Sequence, residues 1–217
     1  AYGVPAWELA LSIGVLVLTF VGMAYLSGRI YRNLCNADLD LKGACQQKNI
    51  KTVSVALGVL EGKMELSGVE ENIYNAAKVT GLRGRWETLS NEPLVICDTG
   101  HNSHGFKVLG PQISATAQQH GGKFHMVFGV VADKDIDLVM SLFPEDAVYY
   151  FTQPASSRAL PAKELQRRWQ QQHPEHSDSR SFASVKEAVE IAQKEATHED
   201  VIFVGGSNYV VGEMFRV

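Results

Sequence analysis

A polar turn at residues 98–102, with the sequence Asp-Thr-Gly-His-Asn, contains the residue types that could do chemistry. It follows the apolar run Leu94–Cys97 and precedes a stretch with helical spacing. Asp98 can accept hydrogen bonds from hydroxyl groups, Gly100 allows a ligand close to the backbone, and His101 adds a ring nitrogen near a helix N-terminus. Two interpretations stay open: a ligand-binding turn, or an Asx turn that only caps the next helix.

Apolar runs with strand character alternate with helical patterns around this turn. This alternation is typical of a mainly parallel α/β sheet with helices on both faces. Strands are expected at Leu94–Cys97, Phe124–Val131, Ala147–Thr152 and Val201–Gly205. Helices are expected at His104–His120, Ile136–Phe143, Pro161–Gln172 and Val185–Ala196.

A polar loop follows each of the four predicted strands. The loops comprise residues 98–102, 133–135, 156–158 and 206–208. Ligands bind beyond the carboxyl ends of the strands in such folds, so we expect these loops to meet at one functional edge. The sequence has neither GxxxxGKS nor GxxxxGKT, and no GxGxxG follows a strand, so a bound nucleotide would lack its usual phosphate cradle.

The composition argues against several other functions. A net charge of −4, with scattered Lys and Arg, offers no basic surface for nucleic acid. Cys35, Cys45 and Cys97 show no CxxC spacing and are typical of thiols in a reducing compartment. The histidines show no HxxxH or HExxH spacing, so we expect no metal ligands in this chain.

The uncharged run at residues 9–28 differs from everything after it. Its length matches a bilayer span at helical rise, and Arg29 and Arg32 place its C-terminal side in the cytoplasm. The sequence therefore predicts a transmembrane helix, with a buried core helix as the alternative. Residues 1–33 resemble the last membrane helix of an ABC-type transporter permease and are expected to be foreign to the rest.

Residues 34–81 are expected to be the helical end of a larger central domain. One helix is predicted from Gln46 to Gly62 and a second over Val69–Lys78. Two helices cannot bury a core of their own. Residues 82–217 are then predicted to form a separate α/β domain, and residues 34–217 to lie in the cytoplasm.

Several segments resemble, in order and spacing, the folylpolyglutamate synthase/dihydrofolate synthase enzymes of the Mur ligase superfamily. The resemblance covers residues 38–217 and implies a Rossmann-like domain of the Mur ligase C-terminal type. The central turn departs from the family's usual Asp-Gly-Ala-His-Asn, because its glycine is Gly100, one position later. The segments are residues 43–49 (GACQQKN), 84–87 (GRWE), 98–102 (DTGHN), 133–135 (DKD) and 206–213 (GSNYVVGE).

The resemblance implies an ATP-dependent amide ligase. In the family, ATP phosphorylates a carboxylate of folate or dihydropteroate, and the amine of L-glutamate then displaces phosphate from the acyl phosphate. This chemistry requires clamping of the phosphates, neutralisation of charge by Mg²⁺ and positioning of the amine. The P-loop, the Mg²⁺ ligands and most of the folate pocket belong to a domain that this sequence lacks, so we expect no turnover by the chain alone.

The resemblance also implies three contacts to ATP. Asn49 matches the position that contacts the adenine end, and Asp98 matches the position that accepts from the ribose hydroxyls. Arg85 matches a phosphate contact, which suits its forked and permanently charged guanidinium. From the residues alone, Asn49 is equally an early-helix polar residue and Arg85 an ion-pair partner of Glu87.

His101 and Ser207 match positions for the incoming glutamate, and His101 and Lys134 match catalytic positions. Ser207 is otherwise a turn residue after a strand. Two other functions stay open: another Mur-superfamily ligase that acts on a cell-wall precursor, or a membrane-anchored or permease-derived protein without catalysis, in contact with a membrane through residues 9–28.

Overall fold

The structure is a computed structural model that describes residues 39–60, 63, 65, 67–132, 135–175 and 178–216. The predicted membrane helix at residues 9–28 and the candidate Lys134 lie outside these residues. Within the described ranges, no helix is long and apolar enough to cross a membrane. The described residues divide into two compact units, residues 39–41 with 46–81 and residues 42–45 with 82–216.

The first unit is helical, and it includes most of the helix Ala44–Leu60 (α1). The prediction of one helix over Val69–Lys78 is wrong, because the chain breaks into Val69–Tyr74 (α2) and Ala76–Thr80 (α3). Asn75 stands between them with φ −109°, and its side-chain amide donates to the Glu71 carbonyl at 3.0 Å. Asparagine thus competes with the helical hydrogen bonds.

The second unit contains a mainly parallel sheet, as the sequence predicts. The described residues form six strands: Glu87–Asn91 (β1), Leu94–Asp98 (β2), Phe124–Phe128 (β3), Ala147–Thr152 (β4), Ser179–Phe182 (β5) and Val201–Gly205 (β6). Their order in the sheet is β1-β2-β6-β3-β4-β5, and the β1–β2 pair is antiparallel while the others are parallel. The four predicted apolar strands are the four central ones.

Helices cover both faces of this sheet, because neighbouring residues of each central strand are buried on opposite sides. The helices of this unit are Ser103–His120 (α4), Ile136–Met140 (α5), Ala162–Gln172 (α6), Val185–Glu195 (α7) and Asn208–Met214 (α8). Met126 and Tyr149 pack with α4, α5 and α6, whereas Val127 and Tyr150 pack with α7 and α8.

The central strands end level with one another. Gly205 at the end of β6 pairs with Asp98 on one side and with Phe128 on the other, and Phe128 pairs with Phe151 of β4. The loops that follow these four strands therefore begin at the same carboxyl edge. This is the edge where parallel α/β sheets bind ligands.

Candidate functional site

Asp98 ends β2 with a carboxylate that the backbone already engages. One oxygen, Oδ1, accepts a hydrogen bond from the Gly100 N–H at 2.7 Å, and the other, Oδ2, accepts from the Trp86 N–H at 2.8 Å. Burial raises the pKa of Asp98, while these two hydrogen bonds and the charge of Arg85 oppose that rise. Each oxygen keeps a second lone pair for a ligand hydroxyl.

The segment Gly84–Trp86 is bound directly against this turn. The Thr99 N–H donates to the Gly84 carbonyl at 2.9 Å, beside the hydrogen bond from Trp86 to Asp98. Gly84 has φ +71° and Trp86 has φ +52°. A bulky residue rarely adopts a positive φ, so the surrounding contacts must hold Trp86 there. Its indole is buried near the Phe203 ring, with the ring centroids 6.2 Å apart.

Arg85 lies between these two residues and is half-buried. The alternative in which Arg85 pairs with Glu87 is wrong. Glu87 instead forms an ion pair with Arg83 at 2.5 Å and accepts the Gly84 N–H at 2.8 Å. Within the described ranges Arg85 forms no hydrogen bond or ion pair, so its guanidinium remains available to an anion at the carboxyl edge.

His101 and Asn102 follow with different roles. The Nδ1 of His101 lies 3.0 Å from the Thr99 carbonyl, which can only accept. The hydrogen-bond geometry therefore assigns the proton to Nδ1 and leaves Nε2 as an acceptor in the neutral ring. The Asn102 side chain accepts the Gly105 N–H at 2.8 Å and caps α4. The capping interpretation is thus correct for Asn102, while His101 retains a nitrogen for chemistry.

Ser207 lies after β6 at the same edge, buried to 3% exposure. Its hydroxyl oxygen accepts the Val210 N–H at 3.2 Å and caps α8. Its proton can still be donated, because a hydroxyl that accepts one hydrogen bond keeps its donor. A Cβ on the neighbouring Gly205 would stand 2.7 Å from the Asp98 carbonyl, so the ends of β6 and β2 pack closely.

Asn49 belongs to the first unit. Its amide nitrogen donates to the Gln46 side chain at 2.9 Å, and both residues line a cavity of about 290 Å³. The rest of this cavity is mostly apolar, with Ile50 and Ile73 among its walls. A shared site of Asn49 with Arg85 and Asp98 stays a prediction. Lys134 lies outside the described residues, and its role also stays a prediction.

A cavity of about 610 Å³ lies at the opposite, amino edge of the sheet. Lys123 and Phe124 line it near the start of β3, with Ala147 near the start of β4. Among the described residues of the second unit, Arg85, Asp98, His101 and Ser207 do not contribute to its wall. These four residues and this cavity therefore belong to opposite ends of the strands.

Sequence reasoning missed the contribution of Trp86 and Glu87. Both belong to the segment 84–87, whose spacing drew attention to Arg85. Their part in holding Arg85 depends on a positive φ at a tryptophan and on a carboxylate that accepts a backbone N–H. The residue types do not indicate either feature, although Gly84 beside them is a signal for unusual backbone.

The mainly parallel sheet and the polar groups at its carboxyl edge define an α/β domain of the ligand-binding, doubly wound type. The sequence model described as "Mur ligase, glutamate ligase domain" matches residues 84–208, more than half of the chain. The chain therefore belongs to the Mur ligase family through its glutamate ligase domain.

Curated relatives give a finer comparison. The dihydrofolate synthase/folylpolyglutamate synthase of Escherichia coli K12 is 27% identical over 173 residues, which are 79% of this chain and 38% of that protein. The protein of the same name from Buchnera aphidicola subsp. Schizaphis graminum is 26% identical over 155 residues, 70% of this chain and 35% of that protein. The chain thus spans little more than a third of the length of these relatives.

Solved structures show the same fold. Escherichia coli FolC in complex with DHPP and ADP superimposes with a TM-score of 0.62 at 24% identity, over 77% of this chain and 38% of that one. The bifunctional folylpolyglutamate synthase/dihydrofolate synthase of Yersinia pestis, complexed with AMPPNP and a Mn ion, gives 0.61 at 23% identity, over 83% and 39%.

Proposed function

We propose that this chain supplies the C-terminal part of an ATP-dependent ligase that adds L-glutamate to folate or dihydropteroate. The observation that best supports this proposal is Arg85, held beside the turn of Asp98 and His101 with no hydrogen bond or ion pair among the described residues. The names of the curated relatives favour a folate substrate over a cell-wall precursor. The domain boundaries near residues 33 and 81 belong to the same proposal.

Three residues contact ATP in this proposal. Arg85 binds phosphate oxygens through its fork of N–H donors. Asp98 accepts from a ribose hydroxyl through a lone pair that the backbone leaves unused, and Asn49 contacts the adenine end. The charge of Lys134 adds to the neutralisation of the transferring phosphoryl group.

Ligation then proceeds in two steps. A carboxylate oxygen of the folate or dihydropteroate substrate attacks the γ-phosphorus, and ADP leaves. The amine of L-glutamate attacks the acyl carbon, and phosphate leaves. His101 accepts the proton that the amine loses, because its Nε2 is the unprotonated ring nitrogen, and Ser207 donates a hydrogen bond to a glutamate carboxylate.

Mg²⁺ would neutralise phosphate charge during the first step. Within the described ranges, no group of three His, Cys, Asp or Glu side chains could hold a metal ion. In this proposal the Mg²⁺ ligands lie in the part of the longer relatives that this chain does not span. The same reasoning predicts that the chain alone does not ligate glutamate.

A chimera tests this function. Residues 39–217 replace the matching C-terminal part of the Escherichia coli relative, and ATP-dependent incorporation of labelled L-glutamate into dihydropteroate is measured. We expect turnover from the chimera, a strong loss in its Arg85→Gln variant, and no turnover from the 217-residue chain alone. A folded chimera that binds dihydropteroate yet incorporates no glutamate would overturn the proposal, as would ligation by the chain alone.

A further inference from the structure

We infer that Asp98 is a positioning residue whose carboxylate fixes the Gly84–Trp86 segment and thereby aims Arg85 at a polyphosphate anion. The inference rests on the proposed function only in assigning the anion to a nucleoside triphosphate. It assigns Asp98 a role beyond the ribose contact, one that acts through another side chain and requires no nucleoside.

The hydrogen bonds of Asp98 and Thr99 support this positioning role. Both oxygens of Asp98 accept from backbone N–H groups, one within its own turn and one from Trp86, the residue directly after Arg85. The hydrogen bond from Thr99 to the Gly84 carbonyl holds the residue directly before Arg85. Arg85 is therefore held on both sides by the same turn, while its guanidinium has no hydrogen bond among the described residues.

The backbone conformation makes the hydrogen bond to Trp86 consequential. With φ +52°, Trp86 occupies a region that costs free energy for any residue with a side chain. The Asp98 carboxylate and the packing of the buried indole compensate for this cost. Without the carboxylate, we expect the peptide between Arg85 and Trp86 to rotate, which changes the direction of the Arg85 side chain.

The sign of the change in anion binding separates a positioning role of Asp98 from a simple effect of its charge. A carboxylate beside a polyphosphate repels it, so the removal of the Asp98 charge should by itself strengthen binding of the anion. A positioning role predicts the opposite sign, because Arg85 loses its orientation. A ribose contact adds nothing for an anion without ribose, so it too predicts unchanged or stronger binding after the charge is removed.

Inorganic tripolyphosphate is the probe, titrated calorimetrically into the 217-residue chain. Asp98→Asn keeps the size of the side chain but places an amide N–H₂ against one of the two backbone donors. Asp200→Asn is the matched control, because Asp200 is also buried and also accepts two backbone N–H groups, from Lys123 and Thr197 at 2.7 Å each, at the amino edge. Thermal melting of both variants checks that their structural losses are comparable.

We expect Asp98→Asn and Arg85→Gln each to weaken tripolyphosphate binding by roughly tenfold, the value of a charge-assisted hydrogen bond, and Asp200→Asn to leave it unchanged. Unchanged or stronger binding by Asp98→Asn overturns the inference, as does an equal loss in Asp200→Asn or no binding by the wild type. If Asp98→Asn does not fold, hydrogen exchange of the wild type decides. Slower exchange of the Trp86 and Thr99 amides with tripolyphosphate supports the inference, and unchanged exchange overturns it.

The failures of the two proposals are distinguishable. If Arg85→Gln weakens tripolyphosphate binding and Asp98→Asn does not, the positioning role is ruled out and the ligase proposal is unaffected. A chimera without glutamate incorporation removes the ligase proposal, while a loss of tripolyphosphate binding in Asp98→Asn would still establish the positioning role.

Discussion

His125 and Asp200 face each other inside the second unit, with Nε2 and Oδ2 3.4 Å apart and both side chains almost fully buried. The other ring nitrogen of His125, Nδ1, lies 2.8 Å from the Tyr150 hydroxyl, which donates to Glu195 at 2.8 Å. The Asp200 carboxylate can only accept, so a proton on Nε2 is donated to Oδ2, and a ring protonated on both nitrogens would also donate from Nδ1 to the Tyr150 oxygen.

This arrangement predicts that acid destabilises the protein through His125. Burial lowers the pKa of His125, and Asp200 opposes the shift. The unfolded chain protonates this residue at about pH 6.5, whereas the native state resists protonation. As the pH is lowered beyond that value, the free energy of unfolding therefore decreases by at most about 1.4 kcal/mol per pH unit. Urea unfolding between about pH 7.5 and 5, followed by tryptophan fluorescence, measures this slope.

The control for this pH dependence is His125→Gln, whose slope should be smaller over the same range. The ionisation of Asp200 does not contribute to the slope in this pH range. Burial raises the pKa of Asp200, but hydrogen bonds from the Thr197 and Lys123 backbone outweigh burial and the net shift is downward. Its contribution to stability is therefore lost only below about pH 4. Equal slopes for His125→Gln and the wild type would contradict the prediction.

Ser207 and Ser184 form a matched pair of helix caps. Each hydroxyl oxygen accepts a backbone N–H at 3.2 Å, from Val210 and Glu187 respectively. Replacement of either serine by alanine should lower the free energy of unfolding by about 1 kcal/mol. In the chimera, Ser207→Ala should also raise the KM for glutamate, whereas Ser184→Ala should not. Equal KM values for the two variants would show that Ser207 is a cap without a substrate contact.

The central sheet was predictable from sequence because its strands are buried on both faces. Ala147–Thr152 and Val201–Gly205 have the predicted bounds, and continuous apolar runs identify such strands. The run predicted to Val131 ends earlier, at Phe128, since Gly129 leaves the sheet and Val131 forms an isolated bridge with Ala159. An apolar run thus indicates burial more reliably than it indicates the end of a strand.

The edges of the sheet were not predictable in this way. The strands Glu87–Asn91 and Ser179–Phe182 are polar, and among the described residues each has a neighbouring strand on one side only. Edge strands are short and often charged, so they lack the apolar signal. The helix Asn208–Met214 was missed for a similar reason, because it has only seven residues and follows a polar loop.

The sequence predicted the edge of the sheet at which the candidate site lies, but not the contacts within the site. The order of the strands and the polar loops after them predict that Asp98, His101 and Ser207 approach the same edge. The hydrogen bond from Trp86 to Asp98 depends on backbone dihedral angles, which local residue types do not specify at a tryptophan. Tertiary packing decides such contacts.

Gly84 is expected to tolerate alanine less well than Gly121 does. Both have a positive φ, +71° and +80°, so alanine is strained at either position. A Cβ at Gly84 would stand 2.7 Å from Val211 and 3.0 Å from Thr99, whereas a Cβ at Gly121 meets nothing within 4 Å. Gly121→Ala should cost about 1 kcal/mol and Gly84→Ala roughly 1–3 kcal/mol more. Urea unfolding measures both, and equal losses would contradict the close packing around Gly84.

The role of His101 in the second step of the proposed reaction can be tested separately from the first step. Its Nδ1 is held by the Thr99 carbonyl, so Nε2 is the nitrogen that can accept the amine proton. In the chimera, His101→Gln should lower kcat for glutamate ligation by roughly 10²–10⁴-fold, the usual contribution of a general base. The earlier step should persist, because it uses Arg85 and the phosphates. Hydroxylamine trapping of the acyl phosphate, without glutamate, measures that step.

The matched control for His101 is His104→Gln. His104 is exposed in the first turn of α4, three residues along the chain, and no step of the proposed reaction involves it. Its replacement should leave both the trapping and the ligation rates unchanged. If His101→Gln blocked trapping as strongly as ligation, His101 would serve the phosphoryl transfer or the local fold. If it changed neither rate, the amine proton would pass directly to water or phosphate, and His101 would have no catalytic role.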